Sequence, residues 1–169
     1  MAGLALFNRA IKVSSGEGNE GAFVATIWYN GETPDIAQLG SMFEVSMPGH
    51  LGMEFTGIGD DWLKMRMPVD ARTHQPYGRL HGGASVALAE TVGSTAAGLC
   101  VNRETHAVVG MEINANHIRP AYDGWVHATA RPENIGRSTH VWSIRIENEA
   151  GKLVCISRLT MAVIALSRK

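Results

Sequence analysis

A single charged side chain, Glu90, interrupts an otherwise apolar or small-residue run between Gly82 and Val101. A carboxylate there is costly to bury when ionised, so it needs hydrogen-bonding partners or a proton, and both conditions are typical of a working acid, base or nucleophile. The alternative is a Glu held by a neighbouring Ser or Thr for structural reasons alone. Just upstream, Tyr77-Gly78-Arg79-Leu80-His81-Gly82-Gly83 brings two glycines to the start of the same run. At a helix start, free N–H groups and the positive end of the dipole favour developing negative charge, and glycines let a ligand atom come close. That is the arrangement of an oxyanion hole for acyl transfer. Read more plainly, Gly82 and Gly83 permit close helix packing and His81 is a polar loop residue. Arg137 and Ser138 follow Gly136 in an expected strand-end turn, where a guanidinium and a hydroxyl suit a nucleotide phosphate. A solvated loop arginine is the plain alternative.

The run from Gly82 is too long for one strand and reads as a helix over 82–102. Gly82 and Glu90 are then eight residues apart, about 12 Å at the rise of an α-helix, too far for one carbonyl to touch both. Two copies with antiparallel helices across a twofold axis would each complete the other's site. The helix has no polar face, so it is expected to be enclosed. A membrane span is disfavoured by Glu90, Ser85, Thr91, Ser94, Thr95 and four glycines. The remaining solution is a sheet curled around it, with Ala84, Ala87, Ala89, Gly93 and Ala97 allowing close approach. Alternation places a hairpin at 53–58 and 62–69, and further strands at 107–117, 125–131, 140–147 and 153–165, in meander order. Thr33 and Pro34 read as the cap and first residue of one or two short helices reaching about residue 47. The expected class is α+β: about six antiparallel strands and one dominant central helix.

With 169 residues, 45% hydrophobic and 18% charged, the chain suits one domain. The Gly- and Ser-rich start, 1–21, reads as a flexible extension, leaving 22–169 as the domain. A net charge of −1, with signs interspersed, gives no basic field for nucleic acid. Cys100 and Cys155 have no metal-ligand spacing and no apolar signal segment opens the sequence, which reads as a cytoplasmic protein with free thiols. No repeat of twenty to fifty residues recurs. A Gly-x-Ser-x-Gly elbow is also missing, which argues against an α/β-hydrolase.

The segment Thr73-His74-Gln75-Pro76-Tyr77-Gly78-Arg79-Leu80-His81-Gly82-Gly83-Ala84-Ser85-Val86-Ala87-Leu88-Ala89-Glu90-Thr91 resembles the hotdog-fold acyl-coenzyme A thioesterases. The likeness is to the PaaI-like branch that serves menaquinone synthesis and enterobactin proofreading. It continues through Val108-Val109-Gly110-Met111-Glu112-Ile113-Asn114-Ala115-Asn116-His117 and Gly136-Arg137, spanning about 27–165. The resemblance implies that Glu90 is the catalytic nucleophile or general base and that the Gly82 N–H polarises the thioester carbonyl. Gln75 and His81 line the same spot from a neighbouring subunit. Thr91, Ser94 and His117 are implied near the acyl group or water, and Gly110, Arg119, Asn134, Gly136, Arg137, Ser138 and Thr139 along pantetheine and nucleotide. Thr95 stands where the enterobactin-type sequence has a bulkier Met, which leaves the acyl preference open. The implied partners are an acyl-coenzyme A or carrier-protein thioester and further copies in a dimer of dimers. No metal or cofactor is implied, coenzyme A being part of the substrate. Two rivals share the groove: a hydratase or dehydratase that leaves the thioester intact, and a non-catalytic acyl-coenzyme A binding module.

Overall fold

The computed structural model describes residues 26–40 and 43–167; the extension expected at 1–21 lies outside them. A 3-10 turn at Tyr29–Gly31 is followed by α1 (Ile36–Gly40) and α2 (Met47–His50). Helix α1 starts later than the cap expected at Thr33, because Asp35 supplies the capping oxygen: its Oδ1 accepts the Ala37 N–H at 3.0 Å. The expected hairpin forms from β1 (Glu54–Ile58) and β2 (Leu63–Pro68). A small ribbon, β3 (His74–Gln75) and β4 (Arg79–Leu80), leads into the long helix α3 (Gly82–Leu99). Four strands complete the chain: β5 (His106–His117), β6 (Trp125–Ile135), β7 (Thr139–Asn148) and β8 (Leu153–Ala165).

Six of these strands form one antiparallel sheet in the order β1-β2-β6-β7-β8-β5. The expected meander after the helix therefore fails at its first member. β6, β7 and β8 are sequential neighbours, whereas β5 crosses over to pair with β8 and becomes an edge. Burial explains the exchange. Leu63, Met65 and Met67 of β2 are wholly buried and need neighbours on both sides, so β2 docks beside β6 with Met65 opposite Ala128. On β5, by contrast, residues 109–112 are exposed, which suits an edge.

The inward face of the sheet is built by period-two alternation: Val126, Ala128 and Ala130 on β6, then Trp142, Ile144 and Ile146 on β7, all buried. His140 belongs to the same face, and burial pushes the pKa of its imidazole down. Helix α3 lies across β2, β5, β6, β7 and β8 and buries Leu88, Ala89, Val92, Ala96 and Ala97 against them. The enclosure expected for this helix is only half realised in one chain. Its other side carries Gly83 and Glu90 into solvent, with Ala87 and Ser94 half-buried beside them. That open side is made of small residues, so composition could not distinguish it from the buried side. Among the described residues no helix is long and apolar enough to cross a membrane.

The fit of helix to sheet turns on Gly93. A Cβ there would lie 2.6 Å from Leu159 Cδ2 and 3.5 Å from Ile144 Cδ1, both side chains being fully buried. Gly93→Ala should therefore destabilise the fold by about 1–3 kcal/mol, the usual cost of overpacking. Urea denaturation measures this, and an unchanged or raised midpoint would show that the helix stands further from β8 than described.

Candidate active site

The start of α3 is held rigidly by backbone hydrogen bonds. The Leu80 N–H donates to Ala121 O and the His81 N–H to Thr73 O, each at 2.8 Å. Thr73 is itself buried, and its hydroxyl donates to Pro68 O at 2.8 Å. In the turn before it, the Asp70 carbonyl accepts the Thr73 and His74 N–H groups at 2.9 Å. The Asp70 carboxylate pairs with Arg72 at 2.6 Å, and that hydrogen bond holds its carboxyl below the usual range.

His81 then caps the helix. Its Nδ1 accepts the Gly83 N–H at 2.8 Å, and its carbonyl accepts from Ala84 and Ser85 at 3.0 and 3.2 Å. Among the described residues the Gly82 N–H has no acceptor. It is the donor that this helix start leaves for a ligand. A Cβ at position 82 would lie 2.8 Å from His117 Nε2, so glycine is what lets the imidazole sit against the helix start.

In front of Gly82 opens a cleft of about 360 Å³. It gathers Gln75, Gly82, His117 and Arg119 of the expected residues, together with Arg79 and Ser85, for which the sequence suggests no role. Ser85 had a readable signal, since it lies one helical turn from Gly82. The Gln75 Oε1 accepts the Tyr77 N–H, which leaves the amide NH₂ group as the free end. Arg119 is anchored by donation from Nη1 to Leu153 O at 2.7 Å.

Glu90 lies elsewhere. It projects from the open side of α3 over Gly110 of β5, where a Cβ would come within 3.1 Å of its Oε1. The expectation of a buried carboxylate is thus corrected: Glu90 is exposed in the single chain, because the sheet covers only the opposite side of its helix. Ser94 and Thr95 continue along α3 from Glu90, their hydroxyls donating to Thr91 O at 3.3 and 2.7 Å. Both line a second cleft, of about 440 Å³. Thr91 is buried and donates its hydroxyl to Ala87 O at 2.7 Å, so it is not grouped with Glu90 on the open side.

Gly136, Arg137 and Ser138 form the turn between β6 and β7, with Asn134 near the end of β6 and Thr139 at the start of β7. The Gly136 N–H and the Asn134 amide both donate to Thr139 O, at 2.9 and 3.5 Å, and Ser138 O accepts the Val163 N–H at 2.9 Å. Arg137 and Ser138 are exposed. Register places Thr139 beside Ala162, and Ala162 beside Val109. This turn is therefore level with the Glu90 end of β5, about 10 Å away across two strand spacings.

The two cysteines are poor candidates for a nucleophile. Burial pushes the Cys100 thiol up to about 12, and it pushes the Cys155 thiol up as well, so neither offers a ready thiolate.

A six-stranded antiparallel sheet packed on one long helix is the hotdog architecture. Comparison with known proteins agrees. Residues 77–155 match the family model described as the thioesterase superfamily. The 1,4-dihydroxy-2-naphthoyl-CoA hydrolase of Escherichia coli is 52% identical over 129 residues, covering 76% of this chain and 94% of that protein. The proofreading thioesterase EntH of Cronobacter turicensis is 52% identical over 114 residues, covering 68% of this chain and 82% of that one. The crystal structure of a mutant of thioesterase PA1618 from Pseudomonas aeruginosa matches with a TM-score of 0.81 at 49% identity, covering 83% of this chain and 100% of that one. The chain belongs to the thioesterase superfamily.

Proposed function

We propose that the chain hydrolyses an aromatic acyl-coenzyme A thioester to the free acid and coenzyme A, at two equivalent sites each shared by two copies. The observation that carries this reading is the separation of the two halves within one chain. Glu90 sits over Gly110, whereas the free Gly82 N–H sits against His117 eight residues earlier on α3, about 12 Å away. One carbonyl cannot engage both. The edge strand β5 supplies the means of joining two copies, since it leaves Val109 43% and Met111 64% exposed next to the small-residue side of α3. A twofold axis between Ile113 and Asn114 sets Gly110 of one copy opposite His117 of the partner subunit. Glu90 then faces Gly82 of the partner subunit.

In that arrangement Glu90 takes a proton from water as the oxygen adds to the thioester carbon, or attacks the carbon itself to form an anhydride that water then opens. Negative charge on the former carbonyl oxygen is held by the Gly82 N–H of the partner subunit, with its Gln75 and His81 alongside. Collapse expels the thiolate, which takes up a proton. A thiolate leaves readily, so one carboxylate and an oxyanion donor suffice without a Ser-His pair. Arg137 and Ser138 meet the nucleotide phosphates of coenzyme A, and coenzyme A enters as substrate, not as cofactor. The aromatic acyl group is supported by the name of the Escherichia coli relative.

A thiol-release assay across benzoyl-, hydroxynaphthoyl- and palmitoyl-coenzyme A tests this reading. Aromatic esters should be turned over at least about tenfold faster than the fatty ester, the scale on which a shaped pocket discriminates. Faster palmitoyl turnover would reject the aromatic assignment. Hydration of an unsaturated acyl ester without thiol release would instead identify a hydratase, and binding without turnover a carrier or sensor.

A further inference from the structure

The cleft beside Ser94 and Thr95 has its own chemical character. Ser94 is one helical turn beyond Glu90, about 6 Å along α3, and Leu99 is about 13 Å beyond it. Across the cleft, Val108 stands two residues along β5 from Gly110, over which Glu90 projects. The cleft therefore begins next to the carboxylate and runs away from it. Leu39 of α1 and Phe43 add apolar wall, and the Phe43 ring is fixed by contact with Phe55 at 5.4 Å between centroids. At about 440 Å³ the space suits a one- or two-ring acyl group.

Its arginine, a permanent cation, is the unexplained feature. Arg103 and His106 are the only ionisable residues among those described as lining the cleft, and no carboxylate lines it. Arg103 stands where this cleft meets its neighbour and lines both, Glu104 lines only the neighbour, and none of the ion pairs among the described residues involves Arg103. His106 is oriented by a 2.9 Å hydrogen bond between its Nδ1 and Thr105 Oγ1.

We infer that this cleft receives the acyl group and that Arg103, aided by His106, selects acyl groups bearing an anionic or strongly accepting substituent, a carboxylate or phenolic oxygen, remote from the thioester. This rests on the thioesterase reading above and adds two specificity-determining residues to it. An apolar wall alone separates ring systems weakly, whereas a guanidinium at the cleft wall rewards an acceptor and loses that reward when it is absent.

The test compares the kcat/KM of paired aroyl-coenzyme A esters, with and without a remote carboxylate or hydroxyl. Wild type should prefer the substituted ester by about tenfold or more, the scale of one charge-assisted hydrogen bond. Arg103→Met should bring that ratio toward one, and Arg103→Glu should shift preference to an amino-substituted ester. A structural role would lower both esters of each pair alike. A ratio unchanged in Arg103→Met, or equal losses on both esters in both variants, would overturn the assignment while leaving the thioesterase reading intact. Absence of thiol release from every ester in the wild type would overturn the thioesterase reading itself, and this inference with it.

Discussion

Glu90→Gln should lower thiol release by about 10² to 10⁴-fold if the carboxylate is a general base, and by more if it is the nucleophile. Thermal stability and oligomeric state should stay at their wild-type values. Gln preserves the size of the side chain and part of its hydrogen-bonding capacity but can neither accept a proton from water nor form an anhydride. The geometry makes the separation of effects sharp. Glu90 is exposed on the open side of α3 and enters none of the ion pairs or side-chain hydrogen bonds among the described residues, so the single fold has little to lose when it is neutralised. Side-by-side calorimetry and single-turnover assays read the two properties independently. A folded Glu90→Gln protein with full activity would remove Glu90 from the chemistry.

Much of this architecture can be read from residue patterns. The alternation of His140, Trp142, Ile144 and Ile146 against polar neighbours identified both the strand and its buried face, and all four are buried. The length and composition of the run after Gly82 identified the one long helix, because no strand extends so far without alternation. Three features resisted. The position of β5 at the edge depends on which strand fills the place beside β6, a long-range choice that local pattern does not encode. The β3–β4 ribbon has two residues per strand, too few for any period to show. The exposure of Glu90 was hidden because Ala87 and Ser94 on the open side are as small as Ala89, Ala96 and Ala97 on the buried one. The geometry of the candidate site is half readable in the same way. The motif around His81 and Gly82 marked the helix start, yet that the Gly83 N–H is taken by His81 and the Gly82 N–H is free appears only in three dimensions.

Gly82→Val is the second variant with a large expected effect. Its Cβ would fall 2.8 Å from His117 Nε2, and its methyl groups would fill the space through which a carbonyl approaches the N–H. Loss of an oxyanion donor costs about 10² to 10³-fold in kcat, and the variant should lose at least that much. Because displacement of His117 also disturbs the helix start, circular dichroism and sedimentation must show a folded oligomer before the loss is assigned to the donor. Should it fail to fold, Gly82→Ala gives the same comparison with a smaller intrusion.

The central claim is that each site draws Glu90 from one copy and Gly82 from another, and mixing the two inactive variants tests it most directly. In a heterodimer of Glu90→Gln and Gly82→Val chains, one site carries both defects and the other has wild-type Glu90 facing wild-type Gly82 of the partner subunit. Random re-pairing makes half the dimers mixed, each with one sound site, so specific activity should return to about a quarter of wild type. Differently tagged chains confirm that exchange has taken place. Recovery to that level is the predicted result; mixed dimers that form fully and remain as inactive as the parents would contradict a site shared across the interface.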